Sequence, residues 1–409
     1  MQPGFFGETM GHPYDIIVVG GGLAGAAFAR AMARRDARVL VVEREMQFKD
    51  RVRGEVLTPW GVAELRRLGL YEIMRDTCAR EMPWFDTYLG SVQISHRDLP
   101  FTTSVGLPAM NWVHCEMEEV LLNAAAEAGA EVRRGAEVTQ VQLGAKPSVC
   151  VKDASGIGDF TARLVVAADG RSSNVRKWAD FRLSRDDFGL LVAGVLLDMP
   201  AIDHDVNAFV LNPENGTGAF VAPQSGRRAR AYVAIPRDRS YRLQGLSDLA
   251  RFVQDSVAAG APEKWYSDIR PIGPLATFDG ADNWVEHPYR SGIALIGDAA
   301  SASDPTYGQG QALSLRDARI LSEHLTASGD WNAAAQAYAE AHDLYYSALH
   351  RFTRWFWELF LEPGSKAAAR RARALPLIGE DPTRMPDVLY SGPDLSMDES
   401  VRRRFFGEG

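Results

Sequence analysis

The chain has 409 residues, of which 53 are acidic and 45 basic for a net charge of −8, with 46% hydrophobic and 24% charged residues. That length predicts two to three domains, and the acidic balance argues against nucleic acid as the main partner. No run approaches the roughly 18 uncharged apolar residues of a membrane span.

The first residues, Met1 to Asp15, carry neither a basic segment nor an apolar run, so they do not read as a secretory signal. Cys78, Cys115 and Cys150 form no CxxC pair and no even framework. Free thiols, a cytoplasmic location and no metal site are the expectation.

In chain order, the first unit is a strand over Tyr14 to Val19, the turn Gly20-x-Gly22-x-x-Gly25, a helix through Arg35 and a strand over Arg38 to Val42 ending at Glu43. This is a βαβ dinucleotide fingerprint. Gly20 permits the tight turn, Gly22 lets the backbone approach a pyrophosphate, and Gly25 lets helix and strand pack closely. The helix N-terminus then faces the phosphates. Glu43 stands where a carboxylate accepts hydrogen bonds from a ribose diol and repels a 2′-phosphate, which favours FAD or NAD over NADP.

Next come Arg51-Val52-Arg53-Gly54-Glu55, in which Arg53 is either a bidentate phosphate ligand or a solvated charge. A helix beginning near Trp112 places His114, Met117 and Leu121 on one face. His114 is either a cofactor contact or a helix-start residue. Leu164 to Ala168 reads as a buried strand running into Asp169-Gly170. From Phe188 to Val285, alternating segments broken by Asn, Pro and Gly predict an antiparallel sheet.

A third buried strand, Ile293 to Ile296, leads to Asp298, suited to a ribityl or ribose hydroxyl. Pro305 shapes the following turn. Gly308 and Gly310 open a helix over Gln311 to Leu325, whose dipole favours negative charge at its N-terminus. Leu344, Ala348, Phe352, Trp355 and Leu359 predict one apolar face of a later helix, ended by Glu362-Pro363-Gly364. The tail to Gly409 reads as irregular.

Four segments together resemble FAD-dependent monooxygenases of the aromatic hydroxylase type, similar to p-hydroxybenzoate hydroxylase. They are the fingerprint, Arg51 to Glu55, Leu164 to Ser172, and Gly292 to Ala300 continued by Asp304-Pro305-Thr306-Tyr307-Gly308-Gln309-Gly310. The resemblance implies an α/β fold: a Rossmann-like FAD-binding domain with a parallel sheet, an antiparallel substrate domain and a helical C-terminal region. The corresponding division is 1–80, 105–183 and 286–330 for FAD, 81–104 and 184–285 for substrate, and 331–409 for the C-terminal region.

The resemblance also assigns roles. Gly20, Gly22, Gly25, Glu43, Arg53, His114, Asp169, Gly170, Asp298, Pro305, Gly308 and Gly310 would contact FAD, with Pro305 at the ring edge where oxygen reacts. NADH or NADPH would reduce FAD transiently, and a C4a-hydroperoxide would hydroxylate an aromatic or heteroaromatic small molecule, such as a biosynthetic intermediate. The family often has a His after its Gly-Asp-Ala-Ala, where this chain has Ser301.

Aromatic side chains of the antiparallel domain, and Trp355, Phe356, Trp357 and Phe360, are candidates to line the pocket. For a proton acceptor the sequence offers His96, His204, Asn207, Gln224, Tyr232 and His287 without ranking them, and substrate polarity with ordered water is another route. Tyr232 is carried forward with Pro305 as a catalytic candidate.

Three other readings remain open at this level. Gly54-Glu55-x-x-x-Pro59 also resembles flavin-dependent halogenases, although no lysine occurs between Lys49 and Lys146. A prenyl-chain reductase of related fold would use reduced FAD against an apolar pocket. A non-oxygenating, membrane-associated flavin protein could use Arg402-Arg403-Arg404-Phe405-Phe406 on anionic lipid.

Overall fold

Aliphatic runs without polar residues are stable as strands only when both faces are covered. In the computed structural model, which describes residues 14–408 apart from 51, 53, 239 and 240, Ile16–Val19, Val39–Glu43 and Leu164–Ala167 are three such buried strands. Ile16–Val19 lies between the other two, parallel to both. Glu131–Arg134 and Ile293–Leu295 extend the sheet in the same sense, and Tyr289–Arg290 adds an antiparallel edge. Helix Leu23–Ala33 packs on this sheet against helices His114–Glu127 and Gly310–Ala327.

The second sheet has eight strands, among them Trp84–Leu89, Val92–Asp98, Leu190–Asp198, Val206–Asn212, Thr217–Pro223 and Arg228–Pro236. Its pairs are antiparallel except that Trp84–Leu89 runs parallel to Val206–Asn212. The period of two decides what each face does. On Arg228–Pro236, Ala229, Ala231, Val233 and Ile235 join an apolar cluster that includes Phe252 of helix Leu249–Ala258. Arg230, Tyr232 and Ala234 point the other way.

The C-terminal region departs from expectation at three places. Helix Trp331–Phe360 forms and stops before Gly364 at φ +100°, but Leu344 is 74% exposed. The buried stripe runs instead through Tyr338, Tyr345, Tyr346, Leu349, Phe352 and Phe356, because the helix lies against the FAD side through its tyrosines. Trp355, Phe356, Trp357 and Phe360 do not line the cavity described below; Phe356 packs edge-on against Tyr307, which does.

The tail is also not irregular: Ser365–Glu380, Val388–Ser391 and Glu399–Phe406 are helices. Phe405 and Phe406 are fully buried beside Trp355, Arg402 pairs with Glu399 and Glu408, and Arg404 pairs with Asp381. Apolar burial and local ion pairs therefore occupy the groups that a lipid-binding tail would have to present.

Candidate active site

At the end of the first strand the chain must turn into a helix with almost no room. Gly20 has φ +99°, and a Cβ on Gly25 would lie 2.0 Å from the Gly20 carbonyl oxygen. Only glycine satisfies both constraints. Helix Leu23–Ala33 begins at Gly22 with no side-chain cap, so its first amide hydrogens are open to an anion. Glu43 is buried at the tip of its strand, its Oε2 accepting from the Gly21 amide at 2.8 Å and its Oε1 from the Glu45 amide at 2.8 Å. Each carboxylate oxygen keeps a lone pair that a ribose hydroxyl can use.

The Gly297-Asp298-Ala299 turn is tied to the Asp169-Gly170 segment by Arg176, whose guanidinium donates to the Ala299 carbonyl at 2.9 Å and to the Arg171 carbonyl at 2.7 Å. Beyond it, Asp304 accepts from the Thr306 amide at 2.9 Å and sets the Pro305–Tyr307 turn, which ends on Gly308 at φ +66°. Helix Gly310–Ala327 follows, also without a side-chain cap. Two uncapped helix starts, one at a glycine turn and one under a second turn, fit the pyrophosphate and the ring of FAD.

A cavity of about 600 Å³ runs from this surface to the second sheet. It brings together Gly22, His114, Gly170, Asp298, Pro305, Gly308 and Gly310 from the FAD side with Tyr232 from the sheet. Phe85, Phe209, Phe220, Phe278 and Tyr390 supply its apolar wall, with Phe220 stacked between Phe85 and Tyr232.

Not every residue singled out from sequence reaches it. Asp169 turns away: its carboxylate accepts from the Ser173 hydroxyl at 2.5 Å and the Asn174 amide at 2.8 Å, holding the start of helix Asn174–Trp178. Arg53 lies outside the described residues. His96 stacks on Trp84 and pairs with Asp86, His204 contacts the Met199 carbonyl, and His287 lies beside Asp343. Asn207 pairs with Asn111, and Gln224 donates to the Trp112 carbonyl. Of the six proton-acceptor candidates, Tyr232 alone lines the cavity. Ser301, in place of the usual His, contacts Nε2 of His342 at 3.1 Å, so an imidazole reaches this spot from a different helix.

A buried polar network missed by the sequence reading backs Tyr232. Its phenol donates to Oε2 of Glu55, and Oε1 of Glu55 lies 3.0 Å from Nε of Arg230, which also pairs with Asp50 at 2.5 Å. Glu55 and Arg230 are 2% and 0% exposed. Burial pushes the Glu55 carboxyl up, opposed by the Arg230 charge and the Tyr232 hydrogen bond. Burial and the Glu55 charge together hold the Tyr232 phenol well above its ordinary value, so it stays protonated.

His114 borders the same network. Its Nδ1 is 3.1 Å from the Gly54 carbonyl and its Nε2 3.4 Å from Glu118. Burial works against the imidazolium, but Glu118, Glu55 and the carbonyl outweigh it and raise the histidine above its usual value. The Gly54 carbonyl also accepts from Gln311 at 2.6 Å and Trp112 at 3.0 Å, which locks three distant segments under the cavity.

The model of the FAD binding domain family matches residues 13–352. The chain belongs to this family. It is an FAD-dependent oxidoreductase. Family relatives include menaquinone reductase of Mycolicibacterium smegmatis, 26% identical over 80% of this chain and 80% of that protein. Aklavinone 12-hydroxylase DnrF of Streptomyces peucetius is 30% identical over 74% of this chain and 65% of its own length. Among solved structures, p-nitrophenol 4-monooxygenase PnpA from Pseudomonas putida shares the fold, with a TM-score of 0.77 at 20% identity, covering 92% of this chain and 96% of that one.

Proposed function

We propose that this enzyme uses NADH or NADPH and O2 to hydroxylate an aromatic or heteroaromatic small molecule, in the cytoplasm and in the manner of a polyketide-tailoring hydroxylase. The observation that carries this reading is the cavity itself: aromatic walls on the sheet side face the Pro305–Gly310 turn on the FAD side. The chemistry supplied by bound FAD is two-electron uptake from the nicotinamide and delivery to O2. Gly20, Gly22, Gly25, Glu43 and Asp298 would hold it, with Arg53 as a further phosphate ligand.

The chain's own residues do the rest. Phe85, Phe209, Phe220 and Phe278 exclude water and hold a planar substrate. The Tyr232 oxygen accepts a hydrogen bond from a substrate hydroxyl. As that proton moves to Tyr232, the phenol's own proton passes to Oε2 of Glu55. Arg230 offsets the carboxylate charge that must be present before transfer.

Anaerobic addition of NADH or NADPH to the FAD-loaded protein, with and without phenols and polycyclic aromatics, tests the reading. Flavin bleaching accelerated by one aromatic supports it. The similarity to menaquinone reductase favours a second reading, that this enzyme reduces an isoprenoid compound instead of hydroxylating an aromatic one. Anaerobic return of the bleached flavin's colour on adding an isoprenoid, with two hydrogens gained across one of its double bonds, would replace hydroxylation by that reading.

A further inference from the structure

Behind the Pro305–Tyr307 turn, outside the cavity lining, three groups far apart in sequence converge: Asp186, Asp282 and His350. One ligand atom from each lies within 4.8 Å of the others, and Nε2 of His350 is 2.8 Å from Oδ2 of Asp186. We propose that Asp186, Asp282 and His350 form a binding site for a divalent first-row transition-metal cation of the Mn2+ class.

The burial of this cluster sets it apart from an ordinary surface ion pair. Asp282 is 2% exposed, and while its Oδ1 accepts from the Asp304 amide, its Oδ2 has no partner among the described residues. A buried carboxylate oxygen without a donor is costly. The Tyr346 hydroxyl, 4% exposed, is likewise without a partner, and its ring stacks on His350 at 5.8 Å and 7°. Trp284 covers the imidazole at 4.5 Å.

Charge points the same way. Three aspartates gather here with His350: Asp186 against its imidazole, Asp282, and Asp304, whose amide donates to Asp282. Asp279 does not add to the deficit because Arg185 and Arg237 both pair with it. Two carboxylates and a neutral imidazole compensate a dication, and mixed oxygen and nitrogen donors without thiolate suit Mn2+, Fe2+ or Zn2+. The bound ion would fix Asp282, and through the Asp304 amide the start of the turn that faces the cavity. Cysteine spacing gave no sign of a metal because no cysteine is involved.

The full-length, FAD-loaded protein, stripped with chelator, is titrated with Mn2+ and followed by electron paramagnetic resonance. The expected result is uptake of about one ion per chain, weakened at least about tenfold in Asp282→Asn and His350→Gln. His96→Gln, at an exposed Asp–His pair elsewhere, leaves binding unchanged. If either variant misfolds, nitrogen coupling from one imidazole in the wild-type Mn2+ spectrum serves as the second readout. Absence of stoichiometric uptake, absence of that coupling, or equal binding in folded variants would show the cluster to be an Asp186–His350 ion pair only.

Discussion

The two ends of the cavity are built from different materials. The FAD end is backbone: glycine turns, uncapped helix starts and carboxylates that hold amides in place. The substrate end is side chains, with Tyr232, Arg230 and Phe220 from adjacent strands, Phe85 from a strand paired on the far side, and Tyr390 from the C-terminal region. Backbone geometry tolerates almost no substitution, whereas a side-chain wall can be rebuilt around a new ligand. A side-chain wall of this kind suits a fold whose relatives are named for molecules as unlike as menaquinone, aklavinone and p-nitrophenol.

The largest effect should come from the backbone end. Gly25→Val should abolish FAD retention, because its Cβ has no space beside the Gly20 carbonyl; the flavin-to-protein absorbance ratio of the purified protein checks this. Normal FAD content would mean the turn is not the anchor. At the other end, Tyr232→Phe should keep FAD but lower substrate-dependent turnover by about 10²-fold. The loss should shrink for substrates without an ionisable hydroxyl, a pattern that simple packing damage would not produce.

A third change separates packing from membrane binding. Phe405→Ala should destabilise the protein by about 3 kcal/mol in denaturant unfolding, since Phe405 is fully buried beside Trp355. Wild-type protein should stay in the supernatant with anionic liposomes; co-sedimentation would restore the lipid-binding reading.

The smallest effect is one of pH. Burial pushes the Asp317 carboxyl up to about 6, against the opposing influence of His342, Tyr345 and the Gly297 amide. A native pKa above the unfolded one means that the native state holds the extra proton. The stabilisation is therefore complete below about pH 4 and lost as pH rises through about 6. The Tm advantage over Asp317→Asn should fall across that window, and a pH-independent difference would assign the shift elsewhere.

The same division explains what could be read from the sequence. The three aliphatic strands and the glycine turns were legible because their constraints are local: a run of buried residues, or a Cβ with nowhere to go. Glu55 was visible only as part of a motif, since its partner Arg230 lies on a strand of the other sheet. Leu344 fitted a helical apolar stripe, but tertiary packing turned the tyrosine face inward instead. The tail was misread because its helices depend on burying Phe405 and Phe406, a contact that polar composition does not announce. Asp186, Asp282 and His350 meet only in three dimensions.

The most direct test of hydroxylation is mass spectrometry of the product formed under 18O2 by FAD-loaded protein, NAD(P)H and the aromatic that accelerates flavin reduction. The account predicts one 18O atom in the product and consumption of one NAD(P)H per turnover. A product lacking 18O, or one gaining two hydrogens without oxygen, would contradict it.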